Sequence, residues 1–337
     1  MNNLAAVAVA GVIMVALNFY VLFAGADFGG GVWDFFARGP RQKAQRDLIS
    51  HAIAPIWEAN HVWLILVIVL LFTCFPTVFS QIVITLHIPL TLMLIGIVLR
   101  GSAFIFRSYG SDADATQQRW GRVFAIASII TPVLLGMCVG AIATGGLARW
   151  TVEGSFVAHF IKPWLTLFGF GVGLFALALF SFLAAVYLTV EAHGTELQED
   201  FRTRALWAAG AVFVIAFGVL ALSWNGAPMV RQALMGGPWA LPIHIVTGLA
   251  AVTAIAALWT RHFRFAQLAA AAQVTFILWG WAAAQYPYML PPTMTIDASA
   301  APSRTLVLVL WALALGGCLL FPSLFYLYRI FKLQQRG

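Results

Sequence analysis

Residues 4–26, LAAVAVAGVIMVALNFYVLFAGA, run for 23 positions without a charged side chain. A helix that crosses a bilayer needs about 20 apolar residues, so this one segment sets the fold class as an all-α membrane protein. Eight further stretches of the same character follow, near 51–75, 79–106, 121–147, 162–190, 204–225, 240–260, 265–284 and 305–330. Nine spans occupy most of the 337 residues and leave no room for a separate soluble domain. The composition agrees, with 62% hydrophobic and 9% charged residues against about 25% charged in a soluble domain, and a mean hydropathy of +0.91. A water-soluble enzyme, a disordered chain and a nucleic-acid binder are excluded.

The first segment ends in Ala24-Gly25-Ala26, which mimics a signal-peptidase site. Met1-Asn2-Asn3 carries no positive charge, and the apolar run exceeds the roughly 7–15 residues of a signal core. It is read as a retained first span. Basic residues in the connecting segments alternate sharply. Fifteen lie within 38–46, 100–122, 202–204, 261–264 and 329–336, whereas the other side has four, Arg149, Lys162, Arg231 and Arg304. The richer side is cytoplasmic by the positive-inside rule, which puts the N-terminus outside and the C-terminus inside. Pro89 and Pro132 fall within predicted spans, where neighbouring helices can satisfy the freed carbonyls.

Cys74, Cys138 and Cys318 each lie inside or at the end of an apolar run, and no CxxC or Cys/His spacing links them. They read as packed or lipid-facing thiols, with neither a disulfide framework nor a metal site indicated. No Ser/His/Asp set, HExxH or Walker motif is present. The glycines at 25, 29, 30 and 31 lack the strand-then-helix setting of a phosphate loop and point to close helix packing or a tight exit from the span.

An ionisable group at membrane depth costs at least about 2.5–3.5 kcal/mol, so each one is a functional candidate. Asp27 ends the first span, Glu58 lies within the second, and Arg100 closes the buried part of the third. Glu58 is about 10 Å in from His51 at 1.5 Å per residue. The alternating topology places Asp27, Glu58 and Arg100 at matching depth, where Asp27 and Arg100 form a supporting charge cluster. One reading is a salt bridge that fixes helix register. The other singles out Glu58: on a continuous helix His51, Glu58 and His61 fall within about 80° of one another, a carboxylate flanked by imidazoles, which is the composition of a proton relay. Asn60, Trp57 and Trp63 read as interhelical hydrogen-bonding and packing residues. His87, alone in an aliphatic run, reads as a satisfied interior histidine rather than a haem ligand.

The run Gly25-Ala26-Asp27-Phe28-Gly29-Gly30-Gly31, then Ala54-Pro55-Ile56-Trp57-Glu58-Ala59-Asn60-His61-Val62-Trp63-Leu64, resembles subunit II of the cytochrome bd-type quinol oxidases, including the cyanide-insensitive branch. The likeness continues with Leu99-Arg100-Gly101-Ser102-Ala103-Phe104 and Phe106-Arg107-Ser108, and with Gln285-Tyr286-Pro287-Tyr288-Met289-Leu290-Pro291-Pro292 before the last span. It covers essentially the whole chain.

The resemblance implies two four-helix bundles and a peripheral helix, divided as 1–150, 151–285 and an outer loop with the last helix at 286–337. It implies a bacterial cytoplasmic membrane and a heterodimer with a subunit I that holds haem b and haem d, or haem b only. No haem is expected in this chain, and a small single-span accessory subunit is expected beside it. The complex would oxidise quinol and reduce dioxygen to water, drawing protons from the cytoplasm, with no catalytic residue in this chain. The family commonly has an acid at the position of Glu58, on a proton route towards the haem site, and a tryptophan matching Trp63 close to a path for oxygen. Two other classes compete. A secondary transporter also buries charges, but it needs unwound half-helices at matching positions in two repeats, and the charges here cluster in spans 1–3. A membrane cytochrome would show a haem band in the isolated chain.

Overall fold

In hydrocarbon every backbone N–H and C=O must be paired within the protein, and a helix does this within one segment. The computed structural model describes residues 4–53, 57–109, 114–148 and 155–334, and its helices follow that rule. They are α1 (Leu4–Phe35), α2 (Gln42–Ile53), α3 (Trp57–Cys74), α4 (Pro76–Thr85), α5 (His87–Tyr109), α6 (Asp114–Ala143), α7 (Phe156–Phe160), α8 (Leu167–Glu191), α9 (Thr195–Gly226), α10 (Pro228–Gly236), α11 (Ala240–Trp259), α12 (Phe263–Gln285), α13 (Ile296–Ser299) and α14 (Ser303–Gln334). A two-stranded hairpin, Tyr288–Leu290 with Met294–Thr295, interrupts the loop before α13. Among the described residues eight helices are long and apolar enough to cross a membrane, and nine if the α3–α4 pair, bent by 119°, counts as one more.

α1 and α8 form the middle of the molecule. α1 packs on α3, α6 and α8, and α8 packs on α6, α9 and α12. One half of α1, through Ala6, Val9, Ala10, Ile13 and Ala16, joins the core with Val67, Leu70 and Met93. Its other half, through Tyr20, Ala24 and Phe28, packs with Phe180, Leu183 and the alanines of α9 and α12. Small residues let these backbones approach closely, which is how helices associate where lipid is as apolar as the side chains. A Cβ on Gly29 would collide with the Phe180 carbonyl, and one on Gly31 with the Ser128 hydroxyl. The glycine run is therefore helical contact surface rather than an exit turn.

Several boundaries differ from the hydropathy reading. α1 continues to Phe35, so Asp27 is two turns inside a helix. Within the predicted second span, helix is described up to Ile53 in α2 and from Trp57 in α3, and Ala54, Pro55 and Ile56 lie outside the described residues. Pro89 is the third residue of α5, where its missing N–H frees no carbonyl, while Pro132 lies inside α6. His87 opens α5 at the break after α4, exposed rather than interior. Its Nδ1 contacts the Ile84 carbonyl at 2.9 Å. Arg149 and the rest of 149–154 also lie outside the described residues.

Candidate functional site

α1 carries the first buried charge. Asp27 is 3% exposed, and the Asn60 Nδ2 amide of α3 donates to its Oδ2 at 2.6 Å. Removing such a carboxylate from water is tolerated only when hydrogen bonds replace part of the lost hydration. Asn60 supplies one bond from the second turn of α3, two residues after Glu58. Glu58 has its backbone in the first turn of that helix. The side chains of Trp57 and Glu58 lie outside the described residues.

Arg100 of α5 is 2% exposed. Its Nε donates to the Ser128 hydroxyl of α6 at 3.1 Å, and Ser128 in turn donates to the Phe124 carbonyl at 2.7 Å. The guanidinium carbon lies 4.8 Å from the Phe28 ring centre and 5.1 Å from that of Phe124. Aromatic faces on a desolvated cation supply part of the missing hydration. Asp27 and Arg100 are within electrostatic range of each other. They are not an ion pair within 4.0 Å: Asp27 faces Asn60, and Arg100 faces Ser128 and the two phenylalanines. Its Nη2 is buried without a hydrogen-bond partner among the described residues.

His61 lies beside Asn60, with its ring 6.1 Å from Tyr20 and 6.3 Å from Phe28. Its Nδ1 is buried without a partner among the described residues. His51 is elsewhere. It is exposed on α2, with Nδ1 2.7 Å from the Asp47 carbonyl of its own helix. The stripe of His51, Glu58 and His61 assumes one continuous helix through residues 54–56, which lie outside the described residues. Trp63 is half-buried and stacks on Phe19 of α1 at 4.6 Å. Among the described residues no group of His, Cys, Asp or Glu converges to hold a metal ion.

The reading of charges in the sequence missed a second polar layer at the same end of the helices. Asp34 of α1 is 2% exposed, with Arg107 Nη1 at 2.9 Å and Arg46 Nε at 3.9 Å. Asp200 of α9 accepts two hydrogen bonds from Arg41, at 2.8 and 2.6 Å, and one from the Gln45 amide at 2.9 Å. The Gln45 carbonyl oxygen accepts from Arg204 at 2.7 Å. The hydrogen bonds to Asp200, aided by its charge, hold the Arg41 guanidinium above the ordinary arginine range. The local signal was the buried face of α2, Gln45, Ile49 and Ile53 at four-residue spacing, with a polar residue at one end.

Comparison with known proteins places this geometry in context. The family described as cytochrome bd terminal oxidase subunit II matches residues 5–331. The cytochrome bd ubiquinol oxidase subunit 2 of Bacillus subtilis (strain 168) is 28% identical over 243 residues, covering 71% of this chain and 70% of that protein. The cytochrome bd-I ubiquinol oxidase subunit 2 of Escherichia coli (strain K12) is 26% identical over 208 residues, covering 59% and 52%. A chain in the solved structure of the bd oxidase from Geobacillus thermodenitrificans has the same fold, with a TM-score of 0.80 at 22% identity over 97% of this chain and 98% of that one.

Proposed function

Because the chain belongs to the cytochrome bd terminal oxidase subunit II family, we propose that it gives a quinol oxidase its cytoplasmic proton route and the scaffold for a haem-bearing subunit I. The complex transfers four electrons from two quinols to one dioxygen, and four protons from the cytoplasm complete two waters. The partner's haem b and haem d, or haem b alone, supply the oxygen chemistry. This chain's residues hold and pass protons. Glu58, in the first turn of α3, is the carrier, Asp27 and Asn60 form a polar wall of the route, and His61 extends that wall. Arg100 balances the negative charge, His51 lies on the approach from α2, and Trp63 lines a packed path for oxygen. The observation that carries the reading is the hydrogen bond between Asn60 and buried Asp27, which brings α1 against the helix turn that bears Glu58.

The two four-helix groups at 1–150 and 151–285 meet through α1 and α8, with 286–337 as an outer loop and a peripheral helix. The proposed orientation is N-terminus outside and C-terminus cytoplasmic, in a bacterial inner membrane, with a small single-span accessory subunit alongside. Glu58→Gln, assayed in the complex purified with its partner, is expected to slow oxygen reduction by about a hundredfold while the reduced-minus-oxidised haem spectrum stays as in the wild type. Wild-type turnover in that variant would remove the proton role.

A further inference from the structure

α2 is covalently part of the first group of helices, yet its strongest polar contacts are with α9. Asp200 is the hub. Its Oδ2 accepts from Arg41 Nε at 2.8 Å and from Gln45 Nε2 at 2.9 Å, and its Oδ1 accepts from Arg41 Nη2 at 2.6 Å. Gln45 is 4% exposed, and its amide is used at both ends, because its oxygen takes the Arg204 Nη2 hydrogen at 2.7 Å. Arg204 lies over the rings of Trp33, at 5.6 Å, and Phe201, at 5.0 Å. The Trp33 indole N–H donates to the Ser181 carbonyl of α8 at 2.8 Å. A doubly bonded buried amide has one orientation, since turning it would set donor against donor.

On the same face of α2, Ile53 packs on α1: a Cβ added at Gly30 would stand 2.8 Å from its Cδ1. Helix α2 is thus fixed sideways by α9 and fixed in height by α1. Four residues after Ile53 the chain enters α3 at Trp57, the turn that holds Glu58 and leads to Asn60. We propose that Asp200, Gln45 and Arg204 are positioning residues. They hold α2 so that the start of α3 presents Asn60 to Asp27, although none of them touches Asp27 or Asn60. The inference rests on the proton-route reading above. It adds that the second group of helices controls the geometry of a site lying wholly on the first.

The test uses the oxidase purified with its haem-bearing partner, with turnover expressed per haem. Asp200→Asn and Gln45→Ala are expected to lower kcat about three- to tenfold, with the quinol KM and the haem per protein unchanged. Asp200→Glu, which keeps the carboxylate, should recover most of the rate. Glu58→Gln, run in parallel, should be slow. If Asp200→Asn and Gln45→Ala turn over at the wild-type rate per haem while Glu58→Gln is slow, the network serves the fold alone and the positioning role is overturned. If Glu58→Gln itself runs at full rate, the proton route falls and the positioning role falls with it. Should Asp200→Asn fail to assemble, Gln45→Ala removes no charge and decides the matter by the same readout.

Discussion

The helices before residue 150 and the helices α9, α11 and α12 are about equally apolar but bury different groups. Asp27, Asp34 and Arg100, each 3% exposed or less, lie on α1 and α5. On α9, α11 and α12 the buried polar side chains among the described residues are neutral: Ser223, Gln273 and Gln285. Charges on that side lie within the first three turns of α9 or just after α11, as with Glu199, Asp200, Arg202, Arg204 and Arg261. A charge inside hydrocarbon must be surrounded by fixed dipoles and rings, so the helices that hold it must be packed to sub-ångström tolerance. A helix whose outer face meets only lipid or a partner has no such demand. The difference separates a rigid polar core from an apolar wall.

Glycine substitutions challenge that separation most severely. Gly29→Val would force a branched side chain into the Phe180 backbone and the Ala184 methyl. The expected loss exceeds about 4 kcal/mol, read as absence of assembled oxidase in membranes by immunoblot and haem spectrum. Gly218→Val, in α9, meets nothing within 4 Å and should change stability by less than about 0.5 kcal/mol. Equal yields of the two variants would abolish the contrast between core and wall.

Arg107→Gln probes the charged layer with a smaller effect. Asp34 would remain buried with only Arg46 Nε, 3.9 Å away, as a cationic neighbour. Removing one member of a buried pair leaves an uncompensated charge, at a cost of about 3–5 kcal/mol when fully sealed. Arg107 is 20% exposed at its side chain, so about 2 kcal/mol is expected here. The midpoint of heat inactivation should fall by several degrees, and a double variant with Asp34→Asn should recover part of the loss. A midpoint unchanged from wild type would show that the layer is solvated.

How far these features could be read from the chain depends on their range. Eight of the predicted spans, and the ninth if the bent α3–α4 pair counts, follow from runs such as 4–26, because lipid imposes length and hydropathy locally. Asp27 and Arg100 stand out because they interrupt apolar sequence, and both are buried. Asp34 lies beyond the apolar run 4–26, so no interruption of that run marks it. It is buried because α1 continues through the glycines to Phe35 and is covered by α2 and α5. The helical projection from His51 to Glu58 runs through residues 54–56, outside the described residues. Gln45 and Asp200 are 155 residues apart, and no local pattern pairs them.

Arg261→Gln gives the smallest expected effect and the sharpest control. Arg261 is 61% exposed, and its Nε meets Glu199 at 2.6 Å. Glu199 keeps Arg202, at 2.7 Å, when that partner is lost. An exposed pair is worth about 0–1 kcal/mol because water screens it and two long side chains must be ordered. Arg261 holds a φ of 60°, a left-handed conformation that glutamine shares no better, so the substitution leaves the backbone strain in place and reports the ion pair alone. Heat inactivation of Arg261→Gln should match wild type to within a degree or two, and added salt should erase the remainder. The Arg107→Gln deficit should persist at the same ionic strength, because its partner carboxylate is shut away from counterions. If both deficits vanish together in salt, Asp34 behaves as a surface charge and the polar core ends at Asp27 and Arg100.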